Sequence, residues 1–113
     1  MKTYTGATGY VYQYYFVGRR AASPPDQGDI EFVFDVTADR KTTFSISVFL
    51  KAEALAAWFA EHGRQLTETE QYAAAKMRLL RGFDEIDGMR DHGRRLVIDG
   101  EIIEELLAPL GLE

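Results

Sequence analysis

Cysteine is missing altogether from the 113 residues, which excludes disulfides, a thiolate nucleophile and any zinc site built on sulfur. Prolines number only three, and two of them, Pro24 and Pro25, sit side by side and mark a single break. No run approaches the roughly 20 apolar residues that a membrane-spanning helix needs, so no membrane role is expected. A basic surplus is lacking too: 13 Lys and Arg stand against 18 Asp and Glu, a formal charge of -5. Duplex-binding modules draw affinity from neutralised phosphates, so this balance disfavours nucleic acid as a partner. The opening stretch from Met1 to Tyr10 has no apolar core of the signal-peptide kind, and the expected location is cytoplasmic.

What is present is the composition of a folded domain, 46% apolar and 27% charged, close to the globular average. The length suits a single domain over residues 1–113. Tyr10 to Val17 is rich in aromatic and β-branched residues and is bracketed by Gly9 and Gly18, which reads as a strand. Arg19 to Gly28 reads as a turn-rich linker, because Pro24 and Pro25 lack amide donors and push their predecessors toward extended geometry. Ile30, Phe32, Phe34 and Val36 then alternate with Glu31, Val33, Asp35 and Thr37. Phe44, Ile46, Val48 and Leu50 repeat that period after the polar turn Ala38 to Lys41. Two half-buried strands joined so closely form an antiparallel hairpin.

At Lys51 the period changes to 3.6. Leu55, Trp58, Phe59 and His62 are spaced to share one helical face, with Gly63 placed to cap its end. Thr67-Glu68-Thr69-Glu70 fits a capping box opening a second helix that runs to about Phe83. Its predicted inner face holds Tyr72, Ala75, Met77, Leu79, Leu80 and Phe83; Gln71, Arg78, Arg81 and Glu85 face water. Arg81 and Glu85 are spaced to pair along the helix. After an irregular stretch, Arg94 to Ile98 reads as a short strand and Glu101 to Leu107 as a terminal helix. The order β-β-β-α-α-β-α predicts an α+β fold: a small antiparallel sheet of three to four strands with helices packed on one face.

The candidate binding surface is the aromatic strand. Tyr10, Tyr12, Tyr14 and Phe16 share one predicted face, and Arg19 and Arg20 follow them. Tyr and Arg are enriched as anchors at protein interfaces, so a protein partner or self-association as a homodimer is expected. Two other readings of the same row are a core face and a platform for stacking unpaired bases. Val33 and Phe49, on nominally polar strand faces, add apolar surface of the kind that marks interaction sites. The expected role is therefore a non-enzymatic protein-interaction or regulatory module.

The alternative is a small-ligand-binding domain or small enzyme with a pocket between sheet and helices. Arg90, Asp91 and His92 would guard its mouth, within a segment that combines carboxylates, an imidazole and arginines. Asp87, Asp91 and His92 are metal ligands by type, but their spacing fits no metal motif, and no metal is assigned. Gly6-Ala7-Thr8-Gly9 lacks the Lys and the following helix of a phosphate loop, and no cofactor is assigned. Ser45 and Ser47 lack the glycine-flanked elbow of a serine nucleophile, so no catalytic residue is named. His62 reads as a partly buried or dipole-stabilised residue near a helix end. The Arg19-Arg20 and Arg94-Arg95 doublets would meet only if their strands were neighbours.

Overall fold

A computed structural model describes residues 1–111 and gathers the strand signals into one five-stranded sheet. In chain order the strands are β1 (Lys2–Thr5), β2 (Val11–Ala21), β3 (Ile30–Thr37), β4 (Phe44–Leu50) and β5 (Arg95–Ile98). The helices are α1 (Ala52–His62), α2 (Glu68–Glu85), the single turn α3 (Met89–His92) and α4 (Ile103–Leu107). Spatial order follows chain order, β1-β2-β3-β4-β5. The first three pairings are antiparallel, and β4 with β5 is parallel.

The architecture is α+β, but the expected antiparallel sheet of three to four strands needs two corrections. One strand more is present, because Lys2–Thr5 (KTYT) pairs with Val11–Tyr14 despite lacking any apolar alternation. The last pairing is parallel, because α1, α2 and α3 intervene between β4 and β5. A crossover of that length returns the chain to the same end of the sheet, as parallel pairing requires.

One face of the sheet is covered by helices. Tyr12, Tyr14, Phe32, Phe34, Val36, Phe44, Ile46, Val48, Leu50, Leu96 and Ile98 are buried there, against Trp58, Leu79, Phe83, Ile103, Leu106 and Leu107. Each such side chain contributes about 1.5–3 kcal/mol on leaving water. The capping box holds: Thr67 Oγ1 accepts from the Glu70 amide at 3.2 Å, and Glu70 Oε1 accepts from the Thr67 amide at 2.9 Å. Gly63 ends α1 in the left-handed region at φ 69°. Arg81 pairs with Glu85 at 3.2 Å and also with Glu105 at 3.1 Å.

The buried face of α1 is rotated from the expected one, while that of α2 is as expected apart from Arg78. In α1 the inward residues are Ala54 and Trp58, and Phe59 is 48% exposed. His62 is partly buried, stacked on Trp58 at 3.7 Å and 2.7 Å from Glu104. In α2, Arg78 is half-buried, because its Nε donates to the Val97 carbonyl at 3.1 Å across the helix–sheet seam. No helix among the described residues is long and apolar enough to cross a membrane.

Candidate docking edge on the second strand

β2 is eleven residues long, whereas β1 is four. The register places β1 beside Val11–Tyr14 only. From Tyr15 to Ala21 that same edge has no strand beside it among the described residues, while β3 pairs along the opposite edge. At about 3.3 Å per residue the uncovered stretch is about 20 Å long. Such an edge presents unpaired amides and carbonyls to solvent, a template for another extended chain.

The ladder with β3 shifts register between Phe16 and Gly18, which makes Val17 a bulged residue. The sequence carried a signal for this: a lone glycine within a strand pattern marks a bulge as often as an end. Reading Gly18 as the terminus assigned Arg19 and Arg20 to a linker, but both belong to β2 and pair with Phe32 and Glu31. The bulge resets side-chain parity, so Phe16 and Arg19 lie on the helix side, and Val17 and Arg20 on the bare side.

The aromatic row divides accordingly. Tyr12 and Tyr14 are core, 2% and 4% exposed, and the Tyr12 ring stacks on Phe83 at 4.3 Å with 9° between planes. Burial pushes both phenols above their ordinary pKa. Neither can anchor a partner while the domain is folded. Tyr10 is exposed just before β2, and Phe16 lies at the helix-side margin, its ring 4.9 Å from Tyr72 and 5.5 Å from Phe34. Val17 is 54% exposed.

Hollows flank the uncovered edge on both sides. On the helix side Phe16, Arg19, Phe32, Glu68, Thr69 and Tyr72 line an open dent of about 330 Å³. On the bare side Val17, Gly18, Arg19, Arg20 and Val33 line another of about 210 Å³. Arg19 lies over the Phe32 ring at 5.5 Å and reaches Glu68 at 3.4 Å. Arg20 binds Glu31 through Nε at 2.9 Å and a terminal nitrogen at 3.3 Å.

The rest of the bare sheet face is laced by polar bonds. Tyr15 donates to Asp35 at 2.8 Å, which raises its phenol pKa, and Ser45 donates to the same carboxylate at 3.1 Å. Ser47 donates to Glu31 at 2.6 Å. The Arg20 bond first, then the Ser47 bond and the more distant Arg95 charge, hold Glu31 below its ordinary pKa. The arginine doublets do not meet, since β3 and β4 separate β2 from β5, yet one member of each acts on Glu31. Phe49, expected as exposed apolar surface, is half-covered by Arg95, whose guanidinium lies 4.4 Å from the ring centre.

The alternative pocket has a counterpart at the other end of the sheet. Tyr10, Tyr12, Ala38, Asp39, Thr42, Phe44, Gly88, Met89 and Arg90 line a recess of about 240 Å³. Arg90 stands at it, but Asp91 and His92 are exposed and outside the lining. Its carboxylate, Asp39, is occupied by the amides of Thr42 and Lys41, each at 2.8 Å, which hold it at a pKa of about 2. That leaves an apolar dent without a placed acid–base pair. Among the described residues no group of three or more His, Asp or Glu is positioned to hold a metal ion. No protein-family model matches this chain, and no curated protein or solved structure matches it significantly.

Proposed function

We propose that this chain is a non-enzymatic protein-docking module, acting in the cytoplasm, whose contact surface is the outer half of β2 from Tyr15 to Ala21. The single observation that carries the reading is the mismatch in length between β2 and β1, which leaves seven residues of a sheet edge without a neighbouring strand among the described residues. An edge of that length without a neighbouring strand, adjoining apolar hollows, offers a template for association even where a bulge and charges interrupt it. Phe16, Val17 and Tyr15 supply apolar contact, and Arg19 and Arg20 supply charge at its end. Tyr10, Tyr12 and Tyr14 have no part in this surface: two are core and the first lies at the opposite end of the strand.

The test is site-specific photo-crosslinking in lysate of the source cells. A benzophenone side chain at Val17 is expected to trap a discrete protein partner, while the same group at Ala60, exposed on α1, traps none of it. Equal yield of the same species from both positions would overturn the reading, as would the absence of any adduct at Val17.

A further inference from the structure

Beside the inner half of β2 the fold gathers hydrogen-bond donors without an anion to receive them. Lys2 pairs with Tyr14 across the β1–β2 ladder. Residues directly opposite in a sheet share a face, and Tyr14 is buried on the helix side, so Lys2 leans toward α2. There its amine meets the Lys76 amine at hydrogen-bonding range. Lys51 holds Asp29 at 2.6 Å, but neither Lys2 nor Lys76 has a carboxylate within ion-pair distance among the described residues. The residues three and four positions from Lys76 along the helix are Tyr72, Ala73, Leu79 and Leu80, and none carries a counter-charge. Asp84 lies eight residues further on, about 12 Å by helix rise. Its carboxylate is taken by the Tyr4 hydroxyl at 2.8 Å and the Ala7 amide at 2.9 Å.

Two phenols border the lysine pair. Burial raises the Tyr14 phenol pKa; the Lys2 charge works against that and the Tyr72 phenol adds to it, so the three groups stand near one another. Tyr4 and Tyr15 each give their hydroxyl to an aspartate, whereas Tyr14 and Tyr72 have no such acceptor among the described residues. We propose that Lys2 and Lys76 form a binding site for a phosphate group, with the half-buried Tyr72 supplying a further donor. Two ammoniums in contact repel unless one sheds its proton or an anion joins them. In the free protein the Lys2 bond first, then burial and the Lys2 charge, lower the Lys76 pKa from the ordinary 10.5. An anion resolves the conflict with both protons kept. Each ammonium offers three donors and no acceptor. A phosphate monoester brings about -1.5 to -2 charges at pH 7 and three strong acceptor oxygens, which matches two cations where a carboxylate matches one. Tyr72 also lines the open dent with Phe16 and Phe32, so an apolar group bearing the phosphate has a surface beside it. Lys2, Lys76, Tyr14 and Tyr72 all lie outside Tyr15–Ala21, and the site stands independently of the docking edge.

The experiment uses the intact protein with carbon-13 in its lysine side chains. Phenyl phosphate, inorganic phosphate and benzoate are titrated by NMR at low ionic strength, where charge is least screened. Phenyl phosphate is expected to shift the Lys2 and Lys76 signals together and to raise the pH at which Lys76 loses its proton. Lys41, exposed on the β3–β4 turn, should not respond. Phenyl phosphate should bind about tenfold more tightly than benzoate. Lys76→Gln should weaken it about tenfold with the circular dichroism spectrum unchanged, and Lys76→Arg, which keeps the charge, should retain most of the binding. Inorganic phosphate separates the two sources of the same chemistry. Weaker binding than phenyl phosphate assigns the site to an organic phosphate that uses the dent; equal binding assigns it to the free ion. Equal binding of benzoate would overturn the phosphate assignment. Equal shifts at Lys41, no shift at Lys2 and Lys76, or undiminished binding by Lys76→Gln would overturn the site.

Discussion

The two halves of β2 have nearly the same character in sequence and opposite fates in the fold. Val11–Tyr14 lies beside β1, with β3 on the other edge of Gln13 and Tyr14, and its Tyr12 and Tyr14 are sealed against Phe83. Tyr15–Ala21 has β3 alone, and its aromatic and branched residues stand largely in solvent. Hydrophobicity does not separate the two fates, and neither does the far-edge strand alone: Val11, beside β1, is 46% exposed, while Tyr12 and Tyr14 are buried under Phe83. A residue's burial in a sheet is thus set by the face it occupies and by what packs on that face. The largest expected effect tests this division directly. Tyr12→Ala removes a stacked ring from a filled core and should cost about 3–5 kcal/mol. Tyr15→Ala, three positions along, removes an exposed ring with one hydrogen bond and should cost about 1 kcal/mol or less. Urea melts of the two variants measure the contrast, and equal losses would erase it.

That contrast also explains which parts of the fold were legible. The β3–β4 hairpin, the capping box at Thr67 and the left-handed end of α1 at Gly63 are local devices, written within a few residues of where they act. β5 was visible as an apolar run, but its direction was set by the helices preceding it. β1 carried no legible signal, since Lys2, Thr3 and Thr5 are polar and only Tyr4 turns inward. With β1 hidden, the coverage of β2 is hidden too, and the aromatic row alone is open to a core, a partner-surface and a base-stacking reading. Arg19 and Arg20 were visible as candidate anchors, and they do stand at the free edge. Tyr12 and Tyr14 share their face with Phe16, and what makes that face core at the two tyrosines is Phe83 of α2, a contact distant in sequence.

A smaller effect sharpens the comparison through two glycines, one beside each half. Gly6 closes the β1–β2 connection, and a Cβ there would lie 2.4 Å from the Phe83 carbonyl oxygen. The backbone of α2 would have to move, so Gly6→Ala should cost about 1–3 kcal/mol. It should also loosen the bonds from the Ala7 amide to Asp84 and from Thr8 to the Phe83 carbonyl. Gly18 has open space where its Cβ would be, and its φ is not in the left-handed region. Gly18→Ala should therefore be neutral, or stabilising by up to about 1 kcal/mol through the unfolded chain. Thermal melts of the pair check this. A large loss at Gly18 would mean that the outer half is packed more tightly than its exposure indicates.

The smallest effect concerns how the outer half keeps its charges in order. Glu31 faces Arg20 across the β2–β3 ladder and also accepts from Ser47, with Arg95 beyond. These partners favour the carboxylate and lower its pKa from the ordinary 4.5. The folded state then binds fewer protons at this group than the unfolded chain does. Its stabilisation is complete above the ordinary value and is lost as pH falls through the lowered one. Because Arg20 is 69% exposed, solvent screening keeps the contribution to about 1 kcal/mol or less. Glu31→Gln should thus be less stable than the unsubstituted protein at about pH 7, with the gap closing as pH falls below 4.5. Asp39 and Glu70, whose carboxyls are held at about pH 2 by their own partners, titrate in both proteins and cancel in the difference. Paired urea melts across that range read the gap. A gap that stays constant with pH would show that Ser47 and shape, rather than charge, hold Glu31.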